Sequence, residues 1–214
     1  MTLPLFPLNT VLFPGCFLDL QIFEARYLDM IGRCMKQGEG FGVVCILEGD
    51  QVGKAPPVVA SIGCEAVIRD FVQQDNGLLG IRVEGVRRFN LESSEVQKDQ
   101  LLVGQVQWLP EQADSPLLEA DDDLLALLVA LGEHPMVEAL GMPRPVDGRQ
   151  ALANQLAYLL PFMEEDKLDL LTLDSPQQRL GEIQKLLERI QGSCSPDGSV
   201  LPVPAYSRVN PLLR

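Results

Sequence analysis

The sequence predicts an α+β protein: a β-rich first half that contains one helix, followed by a helical second half. Short apolar runs separated by Gly, Pro, Asn and Asp extend to about Pro110, as in a small antiparallel sheet. One segment among them carries apolar residues at spacings of three and four, which is a helical period. After Pro110 the helical period dominates, and the 214 residues are enough to bury a substantial core.

The opening apolar stretch LPLFPLNTVLFPG, residues 3–15, is interrupted by Pro4, Pro7 and Pro14. Because proline cannot donate a backbone hydrogen bond and disrupts a helix interior, we expect either strand edges or extended entry strands. The stretch is too interrupted for a membrane helix, and it lacks the basic region of a secretion signal. We therefore expect a cytoplasmic protein that makes no membrane contact.

The segment FEARYLDMIGRCMKQG, residues 23–38, is predicted to be the embedded helix. Glu24 lies in its first turn and Lys36 in its last, where each charge complements the helix dipole. Gly38 suits the left-handed conformation that often follows a helix. The apolar face predicted by the spacing consists of Phe23, Tyr27, Met30, Ile31 and Cys34.

The region that follows, up to about Pro110, is predicted to be β-structure. Its apolar, often β-branched runs are FGVVCIL, VVASIGCEAVIRDFVQQ, LLGIRVEG, VRRFNLESSEV and LLVGQVQWLP. Asp75-Asn76-Gly77 separates two of these runs, and Asn-Gly accepts the positive φ angles of a tight hairpin turn. We therefore expect a compact barrel or curled sheet with one embedded helix.

Three segments of the second half carry helix-start signals. DDDLLALLVALG begins with acidic residues and ends at Gly132. In DGRQALANQLAYLLP, Asp147 is the expected N-cap. Ser175-Pro176-Gln177-Gln178 has the residue order of a capping box with proline at the first helical position. One apolar face of the second segment is predicted to contain Leu152, Leu156 and Leu160.

These patterns divide the chain into a β-rich part, residues 1–112, a helical part, residues 113–192, and a tail, residues 193–214. The tail sequence SCSPDGSVLPVPAYSRVNPLLR is rich in Pro, Ser and Gly. Such a composition has no periodic apolar face and favours extended, polyproline-like backbone. Alone, the tail is therefore expected to be extended or disordered.

The charge of the chain argues against nucleic acid as a partner. The formal net charge is −13, and an acidic surface repels phosphate backbones unless a local basic patch exists. The densest group of cations, Arg82, Arg87 and Arg88, is diluted by Glu84 and Glu92. No basic patch is therefore expected.

Metal binding, cofactor binding and catalysis are not predicted. The cysteines show no C-x2-C pair, and His134 is the only histidine, so neither a zinc site nor a His-dependent nucleophile is indicated. The segment EGDQVGKA ends like a phosphate loop, but Glu48 replaces its first glycine and Ala55 its Ser or Thr. The cysteines, expected to be mostly buried and reduced, are Cys16, Cys34, Cys45, Cys64 and Cys194.

Six motifs of this chain resemble the Lon N-terminal domain, the substrate-recognition module of the ATP-dependent protease Lon. LPLFPL, VLFPG, an L-x-I strand and FEARY follow one another at the start of the chain. VEGVRRFNL resembles the V-x-G-x-x-R-F-x-L of that family, through Gly85, Arg88 and Phe89. KLDLLTLDSPQQRL resembles its helical K-x-x-LL run. The resemblance covers roughly residues 3–190.

This resemblance implies a PUA-like curled β-barrel with one embedded helix, followed by a helical bundle. It also implies a free-standing, non-catalytic relative, because the chain contains neither the P-loop ATPase nor the Ser-Lys protease of full-length Lon. The expected function is binding of unfolded or tagged polypeptide as an adaptor, holdase or regulator of proteolysis, with a protease as a candidate partner. The alternative is a PUA-like protein that binds RNA or a small ligand.

Glu24, Arg26 and Tyr206 are the candidate peptide-binding residues. Glu24 and Arg26 are charged residues among apolar neighbours at the start of the embedded helix, and Tyr206 is a candidate anchor in the tail. A structural alternative remains open for the first two: Glu24 complements the helix dipole and Arg26 packs its aliphatic stem on the sheet. The tail is also a candidate for self-association. Arg88 is expected to be a structural ion-pair partner.

Overall fold

The computed structural model describes residues 1–73 and 78–193. The predicted hairpin turn at Asp75-Asn76-Gly77 and residues 194–214 of the predicted tail lie outside this range. The elements are β1 (Thr2–Leu8), β2 (Phe17–Ile22), α1 (Ala25–Gln37), β3 (Phe41–Glu48), β4 (Val58–Gln73), β5 (Leu79–Val96), β6 (Leu102–Trp108), a short 3-10 turn (Glu119–Asp121), α2 (Asp122–Gly132), α3 (Pro135–Glu138), α4 (Arg149–Leu159), α5 (Glu164–Thr172) and α6 (Pro176–Ser193). The predicted α+β class is confirmed.

The six strands form one curled sheet in the order β2-β5-β4-β3-β1-β6. β1 and β3 are parallel, and the other paired strands are antiparallel. The second half of β5 also pairs with β6, from Phe89 opposite Trp108 to Val96 opposite Leu102. This additional pairing brings the two sides of the sheet together, so the predicted barrel is observed as a strongly curled sheet.

Of the two alternatives for the first strand, an extended strand is observed, and a position at the sheet edge is not, because β1 has a neighbour on each side. Its first half pairs with β6 from Thr2 to Leu5, and its second half pairs with β3 from Leu5 to Leu8. Pro4 and Pro7 therefore each lie where only one neighbouring strand pairs with β1. This stagger is what lets a strand with two prolines run inside a sheet.

Two apolar clusters stabilise the fold. The larger one lies between the sheet and the helices, and it includes buried side chains from both halves of the chain, such as Met30 and Leu156. The smaller one fills the inside of the curl and consists of Leu3, Leu5, Val44, Phe89, Leu102 and Val106. Gly63 gives Phe89 its space, since a Cβ at Gly63 would lie 2.5 Å from Phe89 Cζ.

The embedded helix α1 begins and ends close to its predicted limits. Gly38 follows it with a φ of 69°, in the left-handed conformation that was predicted. Four of the five predicted face residues are buried, but Phe23 is 49% exposed. The helix begins only at Ala25, so Phe23 precedes its first turn and does not share its face.

In the helical half, the predicted N-cap of α4 is wrong. Gly148, and not Asp147, precedes the helix. The Asp114 carboxylate lies against the start of the helix, in the space that a Cβ at Gly148 would occupy. Asp114 Oδ1 accepts a hydrogen bond of 2.8 Å from the backbone N–H of Gln150, so a distant carboxylate supplies the cap. Residues Leu152–Leu159 are all buried, so α4 is covered on every side and not on one face. α6 begins at Pro176, as predicted.

None of the helices in residues 1–73 and 78–193 is long and apolar enough to cross a membrane.

Candidate functional site

Glu24 and Arg26 form a mostly buried ion pair at the start of α1. Arg26 is 5% exposed, and its guanidinium lies 2.8 Å from the Glu24 carboxylate and 4.6 Å from the centre of the Tyr27 ring. Arg26 also donates a 2.7 Å hydrogen bond to the backbone oxygen of Gln100, in the turn that joins β5 to β6. Burial raises the pKa of Tyr27 to about 12. The pair therefore connects α1 to the sheet, which agrees with the structural alternative.

The structure brings two of the predicted binding residues together, since Glu24 pairs with Arg26. Arg26 in turn contacts Gln100 and Tyr27, and Tyr206 lies outside the described residues. Their role in binding a peptide stays a prediction.

Arg88 joins the β-rich half to the helical half. Its side chain is fully buried, and its guanidinium pairs with Glu111 at 2.8 Å and Asp174 at 3.0 Å. It also donates hydrogen bonds to the backbone oxygens of Leu171 (2.7 Å) and Leu173 (3.1 Å) at the end of α5. A buried cation with this many partners positions the helices, as expected for a structural ion-pair partner.

A second buried arginine extends the same network. Arg179 of α6 donates to the backbone oxygens of Leu170 and Leu173 and to the side-chain oxygen of Asn154. Asn154 in turn donates a 3.0 Å hydrogen bond to the backbone oxygen of Pro14, in the loop that leads to β2. Burial lowers the pKa of Arg179 to about 10. Arg179 therefore also has a structural position.

The remaining chemistry-bearing residues have structural positions as well. Cys16, Cys34, Cys45 and Cys64 are buried free thiols, and burial raises the pKa of each. His134 caps α3, with its Nδ1 accepting a 3.3 Å hydrogen bond from Met136. Within residues 1–73 and 78–193, no three His, Cys, Asp or Glu side chains group as metal ligands would.

A groove opens where β4 and β5 separate. These strands pair in an antiparallel ladder with two register shifts, and among the described residues the ladder ends at Ile62 opposite Asn90. Beyond this point β4 continues beside β3, through Val59 and Val58, and β5 continues beside β6, to Val96. Each strand therefore has a partner on its outer side, while the sides that face each other are separated by the groove.

The groove is uncharged and partly apolar, and it has a volume of about 370 Å³. Val59, Leu91 and Leu102 belong to or pack against the small cluster inside the curl, so they connect the groove to the core. None of the described residues that line it carries a charge. The described residues that line it are Ala55, Pro56, Pro57, Val58, Val59, Ser61, Leu91, Ser93, Ser94, Val96 and Leu102.

Charged residues flank the groove in the sequence. Glu48 and Asp50 precede the prolines of the β3–β4 loop, and Glu92 and Glu95 alternate with lining residues on β5. Lys54 is the cation next to Ala55. All five are exposed, so the surroundings of the groove carry a net charge of −3 from four acids and one base.

The sequence interpretation did not identify this groove. Both strands were predicted, but the position at which their ladder ends depends on the curl of the sheet. One local signal was available: Pro56-Pro57 begins the β4 side of the groove, and proline is typical of strand edges that lack a partner.

Two comparisons by sequence identify relatives of the chain. The family profile described as "ATP-dependent protease La (LON) substrate-binding domain" matches residues 2–189. A Lon protease from Flavobacterium johnsoniae is 21% identical over 187 residues, which are 84% of this chain and 23% of that protein. The chain therefore spans less than a quarter of the length of this curated relative.

Solved structures resemble the fold. The Lon N-terminal domain protein from Xanthomonas campestris is 35% identical, with a TM-score of 0.70, and the match covers 88% of this chain and 98% of that one. The N-terminal domain of a Mycobacterium avium complex Lon protease is 19% identical, with a TM-score of 0.59 and coverage of 91% and 100%. The second match supports the fold alone.

Proposed function

Because the chain belongs to the Lon substrate-binding domain family, we propose that it recognises segments of unfolded or tagged polypeptide and is itself non-catalytic. The family profile matches 2–189, so the proposal concerns nearly the whole described chain. The family name indicates the class of ligand, a substrate of a protease, and the groove supports a binding site for it on this molecule.

The groove between β4 and β5 is the observation that carries this proposal. It combines apolar residues with two strand edges, and both features suit a polypeptide that exposes backbone and apolar side chains. Folded proteins bury these groups, so the groove favours unfolded chains. Its uncharged lining also lacks the ionisable side chains that acid–base catalysis requires.

The cellular role that we propose is an adaptor, holdase or regulator of proteolysis in the cytoplasm, with a protease as partner. The buried and free thiols of Cys16, Cys34, Cys45 and Cys64 fit a reducing compartment. Self-association through the tail stays a prediction, since residues 194–214 lie outside the described range.

RNA binding is the weaker alternative. A phosphate backbone requires cations, but the groove is lined by uncharged residues and flanked by Glu48, Asp50, Glu92 and Glu95.

The proposal is tested with an unfolded protein and its folded form as probes. Reduced, carbamidomethylated bovine α-lactalbumin is titrated against the labelled full-length chain by fluorescence anisotropy, and native α-lactalbumin serves as the comparison. The two probes have closely similar charge, so a difference in affinity reports the exposed backbone and apolar groups. We expect binding of the unfolded form only.

Two variants locate the binding site. Val96→Glu places a charge in the groove at a side chain that is 50% exposed, so the fold should tolerate it. Val72→Glu makes the same change at a 58% exposed residue near the other end of β4. We expect Val96→Glu to weaken binding at least tenfold and Val72→Glu to leave it unchanged. Equal affinity of both variants would contradict the groove as the binding site.

A further inference from the structure

We propose that the groove binds an extended polypeptide segment as an additional β-strand between β4 and β5. This inference rests on the proposed function and adds the mode of binding, the length of the bound segment and its chemistry.

The interrupted ladder provides the space for the added strand. If the register of Ile62 with Asn90 continued, residues 61, 60, 59 and 58 of β4 would face residues 91, 92, 93 and 94 of β5. These two segments instead supply six of the eleven described residues that line the groove. The sheet is therefore open over about four residue pairs, or roughly 13 Å at the rise of a strand.

Backbone groups on the facing edges provide the hydrogen bonds. Along a strand, successive N–H and C=O groups point alternately to its two sides. The outer side of β4 pairs with β3, as in Val59 opposite Ile46, and the outer side of β5 pairs with β6, as in Ser93 opposite Gln105. The groups on the inner sides are thus directed at the groove, where an extended peptide backbone is the matching ligand.

The lining selects the side chains of the bound segment. Alternate residues of an added strand face the apolar floor formed by Val59, Leu91 and Leu102, which favours Val, Ile or Thr. Ser61 and Ser93 can form hydrogen bonds with hydroxyl groups at the edges. A charged residue facing this floor would lose its hydration without gaining a partner.

The surroundings of the groove select the ends of the bound segment. Four exposed acids and one exposed base lie close in the sequence to the lining residues and make the surroundings of the groove negative; they are Glu48, Asp50, Glu92, Glu95 and Lys54. Lys or Arg residues flanking an uncharged, β-branched centre complement this charge, whereas acidic flanks are repelled. The occupant is therefore a short, extended segment with an uncharged centre and basic flanks.

The test uses the labelled peptide KVTVSVTK and two backbone analogues. In one analogue esters replace the three valine amides, and in the other they replace the Thr, Ser and Thr amides. The N–H groups of these two sets point to opposite edges of the peptide strand, and the side chains are unchanged. Because an added strand uses both edges, we expect each analogue to bind the full-length chain about tenfold or more weakly.

Two further measurements accompany the titration. The peptide EVTVSVTE, with acidic flanks, is expected to bind at least tenfold more weakly than KVTVSVTK at low salt. Amide hydrogen exchange in residues 58–61 and 91–96 is expected to slow when the peptide saturates the protein. Exchange in Phe41–Val44 on β3 provides the control, because these residues already pair within the sheet.

The outcomes separate this inference from the proposed function. If both ester analogues bind as well as the parent peptide, strand addition is wrong, although polypeptide binding stands. If neither the peptide nor unfolded α-lactalbumin binds, both proposals fail. Amide exchange in residues 58–61 and 91–96 is also measured without peptide at several protein concentrations. If exchange slows as the protein concentration rises, the occupant is a second copy of the chain, and the proposal is overturned.

Discussion

Replacing Arg88 with methionine tests whether the buried arginine network holds the two halves of the chain together. Methionine keeps the length and apolar character of the arginine stem, but it removes the charge and every donor. The carboxylates of Glu111 and Asp174 lose their cation, and the backbone oxygens of Leu171 and Leu173 lose donors at 2.7 and 3.1 Å.

The structure gives the expected cost. An unsatisfied buried carbonyl costs about 1–3 kcal/mol, and removing one partner of a buried ion pair costs about 3–5 kcal/mol. The two figures overlap, because the same guanidinium serves both. Glu111 and Asp174 are partly exposed, so water will hydrate them after the change. We therefore expect the free energy of unfolding to fall by about 3 kcal/mol.

Arg69→Met is the matched control, since it removes the same charge from an arginine on the solvent-accessible part of the sheet. The Arg69 side chain is 49% exposed and pairs at 2.6 Å with Glu84, which is 24% exposed. A solvent-accessible pair of this kind is worth roughly 1 kcal/mol or less. Urea denaturation followed by far-ultraviolet circular dichroism measures both variants. A cost for Arg88→Met no larger than that of Arg69→Met would refute the reasoning.

Two further changes test the packing and the buried charge. Gly63→Ala should lower the free energy of unfolding by about 1–3 kcal/mol, because the added Cβ would lie 2.5 Å from Phe89 Cζ and 2.6 Å from the backbone oxygen of Val43. In the control Gly32→Ala, in α1, the added Cβ meets no atom within 4 Å, so this change should raise the free energy of unfolding by about 0.5–1 kcal/mol. Equal urea midpoints for the two variants would contradict this. Burial lowers the pKa of Lys167 from 10.5 to about 8, so between these pH values the unfolded chain binds the extra proton. We therefore compare the free energy of unfolding of the unmodified chain with that of Lys167→Met. The difference should rise with pH in this window, by at most about 1.4 kcal/mol per pH unit. A difference that stays flat or falls in urea titrations at pH 7 to 10 would refute the assignment.

Local patterns predicted the elements of this fold. The spacing of Tyr27, Met30 and Ile31 gave the buried face of α1, and Gly38 gave its end. The family was predicted from the motifs at the start of the chain and around Arg88, and it is confirmed by the profile match over residues 2–189. These features were predictable because each depends on residues that are neighbours in the chain.

The predictions that were wrong concern residues whose contacts are made with distant parts of the sequence. Asp147 had the right type and position for an N-cap, but the distant Asp114 binds the start of α4. Pro4 and Pro7 suggested either a sheet edge or an extended entry strand, and the edge alternative is wrong because the staggered neighbours of β1 accommodate both prolines inside the sheet. The spacing of residues in the sequence contains no information on the contact with Asp114 or on the staggered pairing of β1.

By itself the sequence determined which segments are strands and helices, the acidic character of the surface and the family. The tertiary structure decided where the β4–β5 ladder ends, and therefore where two strand edges and an apolar floor form one groove. The physical reason is that periodicity encodes which side of a segment is buried, whereas a groove depends on the curl of a sheet whose strands come from distant parts of the chain.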